Sequence, residues 1–178
     1  MSHARRITMT AILTAMSLVA FLLEGLLPTL PLPGAKVGLG NLFSLFALCV
    51  VGWPAALVVV VVRTTLGCII LGNVGALLYS LTAGVGAMVL CIVLYRLVFP
   101  RVSILAISVA GAVLHDVIQT VVYCLVVHNW GMMAYLPYLM LFGLLGGAIV
   151  GILTWTVLTK LPASLMDTIV NHNEREKK

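Results

Sequence analysis

From Ala55 to Val62 the chain reads Ala-Ala-Leu-Val-Val-Val-Val-Val, without a polar residue at any helical or strand register. A run of this kind has no side to give to water, and comparable runs recur along most of the chain. Only 8% of the 178 residues are charged and 62% are hydrophobic, with a mean hydropathy of +1.21. A soluble domain carries about 25% charged residues, so there is too little polar surface here to coat a water-facing fold. The sequence therefore predicts an integral membrane protein. Inside lipid every backbone N–H and C=O has to be satisfied internally, which leaves helices or closed barrels. The period-2 alternation of a barrel strand is absent. The fold class expected is an all-α six-transmembrane-helix bundle.

Proline, glycine and single charges divide the chain into six segments: Ile7 to Leu27, Gly38 to Val51, Pro54 to Leu71, Val74 to Val98, Ser103 to Val127, and Ala134 to Thr159. The second is short, with a reach of only about 21 Å. It must begin inside the preceding turn, tilt little, or be partly re-entrant. Residues 1–160 are expected to form one transmembrane domain and 161–178 a polar cytoplasmic tail. The apolar run from Ile7 to Leu23 is too long for a signal-peptide core, and no small-residue cleavage pattern follows it.

Orientation follows from lysine and arginine placement. With the amino terminus in the cytoplasm, Arg5, Arg6, Arg96, Arg101, Lys160, Arg175, Lys177 and Lys178 lie inside. Lys36 is then outside and Arg63 within the membrane, as the positive-inside rule favours. Both termini are expected to be cytoplasmic. The net charge of +5 is scattered over helix ends rather than gathered on one face, so it reflects topology and not nucleic-acid binding. Cys49, Cys68, Cys91 and Cys124 all fall within apolar runs and lack the spacing of a metal site, which marks them as core or lipid-facing residues.

Against this background the glycine-rich turn Pro33 to Asn41 stands out as a substrate mouth. Ionisable residues within a bilayer are rare and are functional candidates by default. Arg63 lies about 13.5 Å past Pro54, near the midplane. Asp116 lies in the outer half, and Glu24 near the outer surface, where it can pair with Lys36. Asn41, Tyr79, His115 and Gln119 fall in the same outer half. On the fifth helix Gly111, His115, Gln119 and Val122 share one face, with Asp116, Thr120 and Tyr123 on the adjacent strip. Two readings stay open: Arg63 and Asp116 neutralise each other structurally, or both face a ligand cavity.

Small residues give a second signal. Ala11 and Ala15 on the first helix, and Gly143, Gly147 and Gly151 on the sixth, make flat stripes that admit close helix approach. The glycine ladder is expected to pack internally, whereas the alanine pair suits a partner subunit or internal packing equally. No Ser/His/Asp or Cys/His constellation, HExxH or P-loop is present. The chain holds only five carboxylates, without the clustered aspartates that would hold magnesium for diphosphate chemistry. Neither an enzyme nor a bound cofactor or metal is expected.

The stretches PGAKVGLGN, VVRTTLGCIILGN, LLYSLTAGVGAMVL and GAVLHDVIQ, in this order and spacing, resemble the small bacterial membrane family called Gx transporter, also labelled heptaprenyl diphosphate synthase component I. Asp116 departs from the asparagine that the family tends to carry after the helix-five histidine. The family in turn resembles the substrate-binding S components of energy-coupling-factor transporters. That likeness implies a six-helix protein of the bacterial cytoplasmic membrane that captures a small-molecule solute from outside. It implies that Lys36, Asn41, Arg63, Tyr79, His115, Asp116 and Gln119 line or support the pocket. It further implies that Ala11 and Ala15 dock a transmembrane coupling subunit driven by ATPase subunits. The synthase label implies instead a noncatalytic membrane partner of a prenyl diphosphate synthase.

Overall fold

The computed structural model describes residues 3–26 and 38–160, and these are helical almost throughout. Helices α1 (His3–Leu26), α2 (Leu39–Val50), α3 (Trp53–Ile70), α4 (Gly75–Leu97), α5 (Ile104–Val127) and α6 (Leu136–Thr159) follow one another, with a 3-10 turn (Trp130–Tyr135) leading into α6. The turn Pro33 to Val37 and the tail 161–178 lie outside the described residues.

Local chemistry sets the element ends. Gly38 precedes α2 with φ of 80°, a left-handed conformation that costs glycine little. Pro54 starts α3 in the first turn, where its missing N–H is harmless. Ser103 caps α5 by accepting a hydrogen bond from the Ala106 amide at 3.2 Å, and His128 closes the same helix in the left-handed region.

Five helical segments are long and apolar enough to cross a bilayer, as the sequence predicts. Together with α2 they make up the six expected helices. The bundle is a multi-pass membrane architecture whose lipid-facing surface carries Ile7, Ile12, Val19, Leu23, Leu78, Leu145 and Ile152. Its interior is small and partly polar, with Ser17, Ser44, Arg63, Thr64, Ser108, Thr120 and Thr154 all buried. This inverts the soluble pattern, because lipid rather than water sets which side chains are tolerated outside. All four cysteines are buried, and none is in a disulfide.

The helices form a ring in the order α1, α3, α4, α5, α6, α2, closed by contact of α2 with α1, and α2 also packs on α3. At twelve residues α2 extends about 18 Å, too short to cross alone. Leu45, Ala47, Leu48 and Cys49 bury it in the apolar core. Its first turn meets Arg63, which lies about 10 Å below the end of α3. The short helix therefore starts at depth, inside the bundle.

The glycine ladder packs internally. Positions for a Cβ on Gly147 and Gly151 fall 2.9 Å from Val109 Cα and 2.8 Å from Leu105 Cα, so α6 lies directly on the α5 backbone. The Ser108 hydroxyl donates to the Gly147 carbonyl at 2.8 Å across this seam. Ser108→Ala should lower stability by about 0.6 kcal/mol, the usual worth of an interhelical hydrogen bond in a membrane. Detergent-resolved unfolding would measure it.

Candidate functional site

Helix α5 divides its circumference between three neighbours. Leu105, Ser108, Val109 and Ala112 face α6, while Gly111 meets Cys91 of α4 and Ile118 meets Gly86. Between these faces Ser108, Gly111 and Ala112 line a central cavity, closed on its other sides by Gly38, Asn41 and Leu45 of the α2 region, Ala87, Met88 and Cys91 of α4, and Gly147 and Val150 of α6. His115 and Gln119 continue the same helical stripe outward from Ser108 and Ala112. They are hydrogen-bonded to each other, with His115 Nε2 and Gln119 Oε1 2.9 Å apart.

The cavity's polar end is built where α1, α2 and α3 converge. Arg63 is only 4% exposed. Its Nη2 donates to Asn41 Oδ1 at 2.6 Å, and its guanidinium lies 5.9 Å from the centre of the Phe21 ring. Any Cβ at Gly40 would collide with Nη1, so glycine is what admits the guanidinium to α2. Among the described residues Arg63 Nε has no acceptor. The Gly40 carbonyl also accepts from the Ser17 hydroxyl at 2.8 Å, tying α1 to the same point.

Glu24 meets the same turn of α2. It is buried at 9% exposure, and its Oε1 accepts from the Leu39 amide at 2.8 Å. A carboxylate there satisfies one of the orphan amides of α2 and suits the positive end of the helix dipole. Glu24 is thus a buried cap near the outer end of α1, at the depth that residue counting gives it, and not part of an exposed surface pair.

Asp116 sits elsewhere. Its Oδ2 points at Gly143 of α6, where even a Cβ would not fit, and has no hydrogen-bond partner among the described residues. Among the described residues no ion pair joins Asp116 to Arg63 either, and Arg63 bonds to Asn41 instead. Tyr79 and Tyr123 meet edge to face, ring centres 5.3 Å apart, joining α4 to α5 near the same end of the bundle. Of the residues singled out from sequence, the structure joins Asn41 to Arg63 and His115 to Gln119. It sets Asp116 on the α6 side, and Lys36 lies outside the described residues. Sequence reading missed Ser17 and Ser108; a lone serine in the middle of an apolar helix is the signal that could have found each.

Ala11 and Ala15 are exposed. They line a groove of about 700 Å³ on the outside of the bundle, between α1 and α3, together with Thr10, Thr14, Ala55 and Val58. Small side chains on the α1 wall, with Ala55 opposite on α3, make it a place where another helix can approach closely.

No curated protein and no solved structure gives a significant match to the chain. A family model described as heptaprenyl diphosphate synthase component I matches residues 13–157. That match runs from the first helix to the last and takes in the cavity and the Arg63 cluster, and the chain belongs to the heptaprenyl diphosphate synthase component I family.

Proposed function

We propose that this chain is the substrate-binding subunit of a small-solute uptake system of the energy-coupling-factor type, in the bacterial cytoplasmic membrane with both termini inside. The observation that carries the reading is the cavity among α2, α4, α5 and α6, with polar groups at one end and apolar walls below. Asn41, His115 and Gln119 contact the solute, and Tyr79 and Lys36 flank the mouth. Arg63 and Asp116 support the walls. The cavity's water-accessible volume is about 40 Å³, enough for water but far below the roughly 300–1,000 Å³ of a small-molecule site. Loading therefore requires the helices around it to separate. Residues 1–160 act as the membrane domain and 161–178 as its cytoplasmic tail.

Transport needs a partner, and the α1–α3 groove offers the docking face for a transmembrane coupling subunit with its ATPases. Ala11→Leu or Ala15→Leu is expected to abolish co-purification with a coupling subunit while small molecules still co-purify with the purified chain. Unchanged co-purification of the subunit would remove the groove from the docking assignment.

The family description supports a second reading, a noncatalytic membrane component of a polyprenyl diphosphate synthase. Under it, adding this protein to a soluble synthase partner raises product formation or fixes chain length. Indifference of the partner favours uptake.

A further inference from the structure

Arg63 is buried, charged and bonded to a residue that lines the cavity, yet Arg63 itself is not among the cavity-lining residues. Its effect on a ligand therefore passes through Asn41. A guanidinium only donates hydrogen bonds, so the Asn41 atom facing it is the oxygen, and the amide nitrogen is turned the other way. Nδ2 stands 3.1 Å from where a Cβ on Gly38 would be, Gly38 is itself a lining residue of the cavity, and among the described residues nothing accepts from Nδ2. The site thus presents an oriented NH2 with two free donors, above apolar walls made by Leu45, Met88 and Val150.

Charge narrows what those donors recognise. The Glu24 carboxyl group is bonded to the Leu39 amide, only two residues before Asn41, so it shares the first turn of α2 with Arg63. A second anion brought to this turn would meet the field of Glu24, with Arg63 already donating to Asn41. A neutral oxygen acceptor meets no such penalty.

We propose that Arg63 is a positioning residue that locks the Asn41 amide with its NH2 toward the cavity, and that this NH2 selects an uncharged ligand with an apolar body and a carbonyl-type oxygen. The proposal rests on the solute-capture reading and names the class of solute.

The test holds the apolar body constant and changes the head group. The full chain in lipid nanodiscs is titrated with geranylacetone, a neutral ketone, and with geranyl diphosphate. Saturable binding of the ketone in preference to the diphosphate is expected. Asn41→Asp keeps an acceptor for Arg63 but removes the donors, and should weaken ketone binding about tenfold. Asn41→Ser is the second variant should the aspartate disturb folding. Arg63→Lys, which retains one donor toward Asn41, should keep more binding than Arg63→Met. Equal ketone binding by wild type and both Asn41 variants overturns the proposal, as does preference for the diphosphate or absence of saturable ketone binding. If other small molecules still co-purify with the wild-type chain in those cases, solute capture stands and only the ligand class falls.

Discussion

Replacing Gly147 with leucine is expected to break the bundle apart, at a cost of about 3 kcal/mol or more. A Cβ alone at this position would sit 2.9 Å from both Val109 Cα and Ala112 Cβ, and leucine adds three further carbons. The α5 backbone has little room to retreat, because an adjoining face is equally close to α4, where a Cβ on Gly111 would strike the Cys91 sulfur. Close approach is also what allows Ser108 to reach the Gly147 carbonyl, so that bond is lost with the contact. Thermal melting in detergent would show the loss directly. Leu145, on the same helix but 64% exposed, is the control: Leu145→Ala should leave melting nearly unchanged. If Gly147→Leu melted like the wild type and lost only a binding partner, the ladder would be an intermolecular surface instead.

The same ladder shows what a sequence of this type discloses. Glycines four residues apart in an apolar helix can only mean close approach, and the internal packing expected from them is what α5 and α6 display. The six segments were legible for a related reason: charges are kept out of the hydrocarbon and proline and glycine interrupt helices, so together they mark helix ends to within a few residues. Ser103 at the cap of α5 and Pro54 in the first turn of α3 are examples. The candidate site was harder. Counting residues along each helix assumes that all helices start at the same height, and α2 does not. Its first turn lies beside Arg63, and a residue count along α1 gives the height of Glu24 but not that its side chain turns inward to the Leu39 amide. Rotation was legible, because helical spacing alone puts Asp116 on the strip next to His115 and Gln119. Asp116 and His115 are neighbours in sequence, yet about 100° of helical turn separates them. That turn sets Asp116 against Gly143 and leaves His115 on the stripe of the cavity-lining residues.

The partner of Arg63 can be decided by coupling energies. Arg63→Met should destabilise the chain by about 3 kcal/mol or more, since it leaves the buried Glu24 carboxylate without its counter-charge and Asn41 Oδ1 without its donor. Glu24→Gln should cost less, because an amide oxygen can still accept from the Leu39 amide. The double variant Arg63→Met with Glu24→Gln should then be more stable than the sum of the single losses predicts, by about 1–3 kcal/mol. Asp116→Asn, combined with Arg63→Met, should be additive, since no ion pair joins the two side chains. Unfolding in mixed micelles measures all five variants on one scale. Coupling to Asp116 and none to Glu24 would restore the intramembrane pair that the sequence allowed and remove the charge balance at the cavity's polar end. Coupling to Glu24 alone would mean that the chain's buried arginine is already neutralised before any ligand arrives, and that recognition at this end is left to the Asn41 amide.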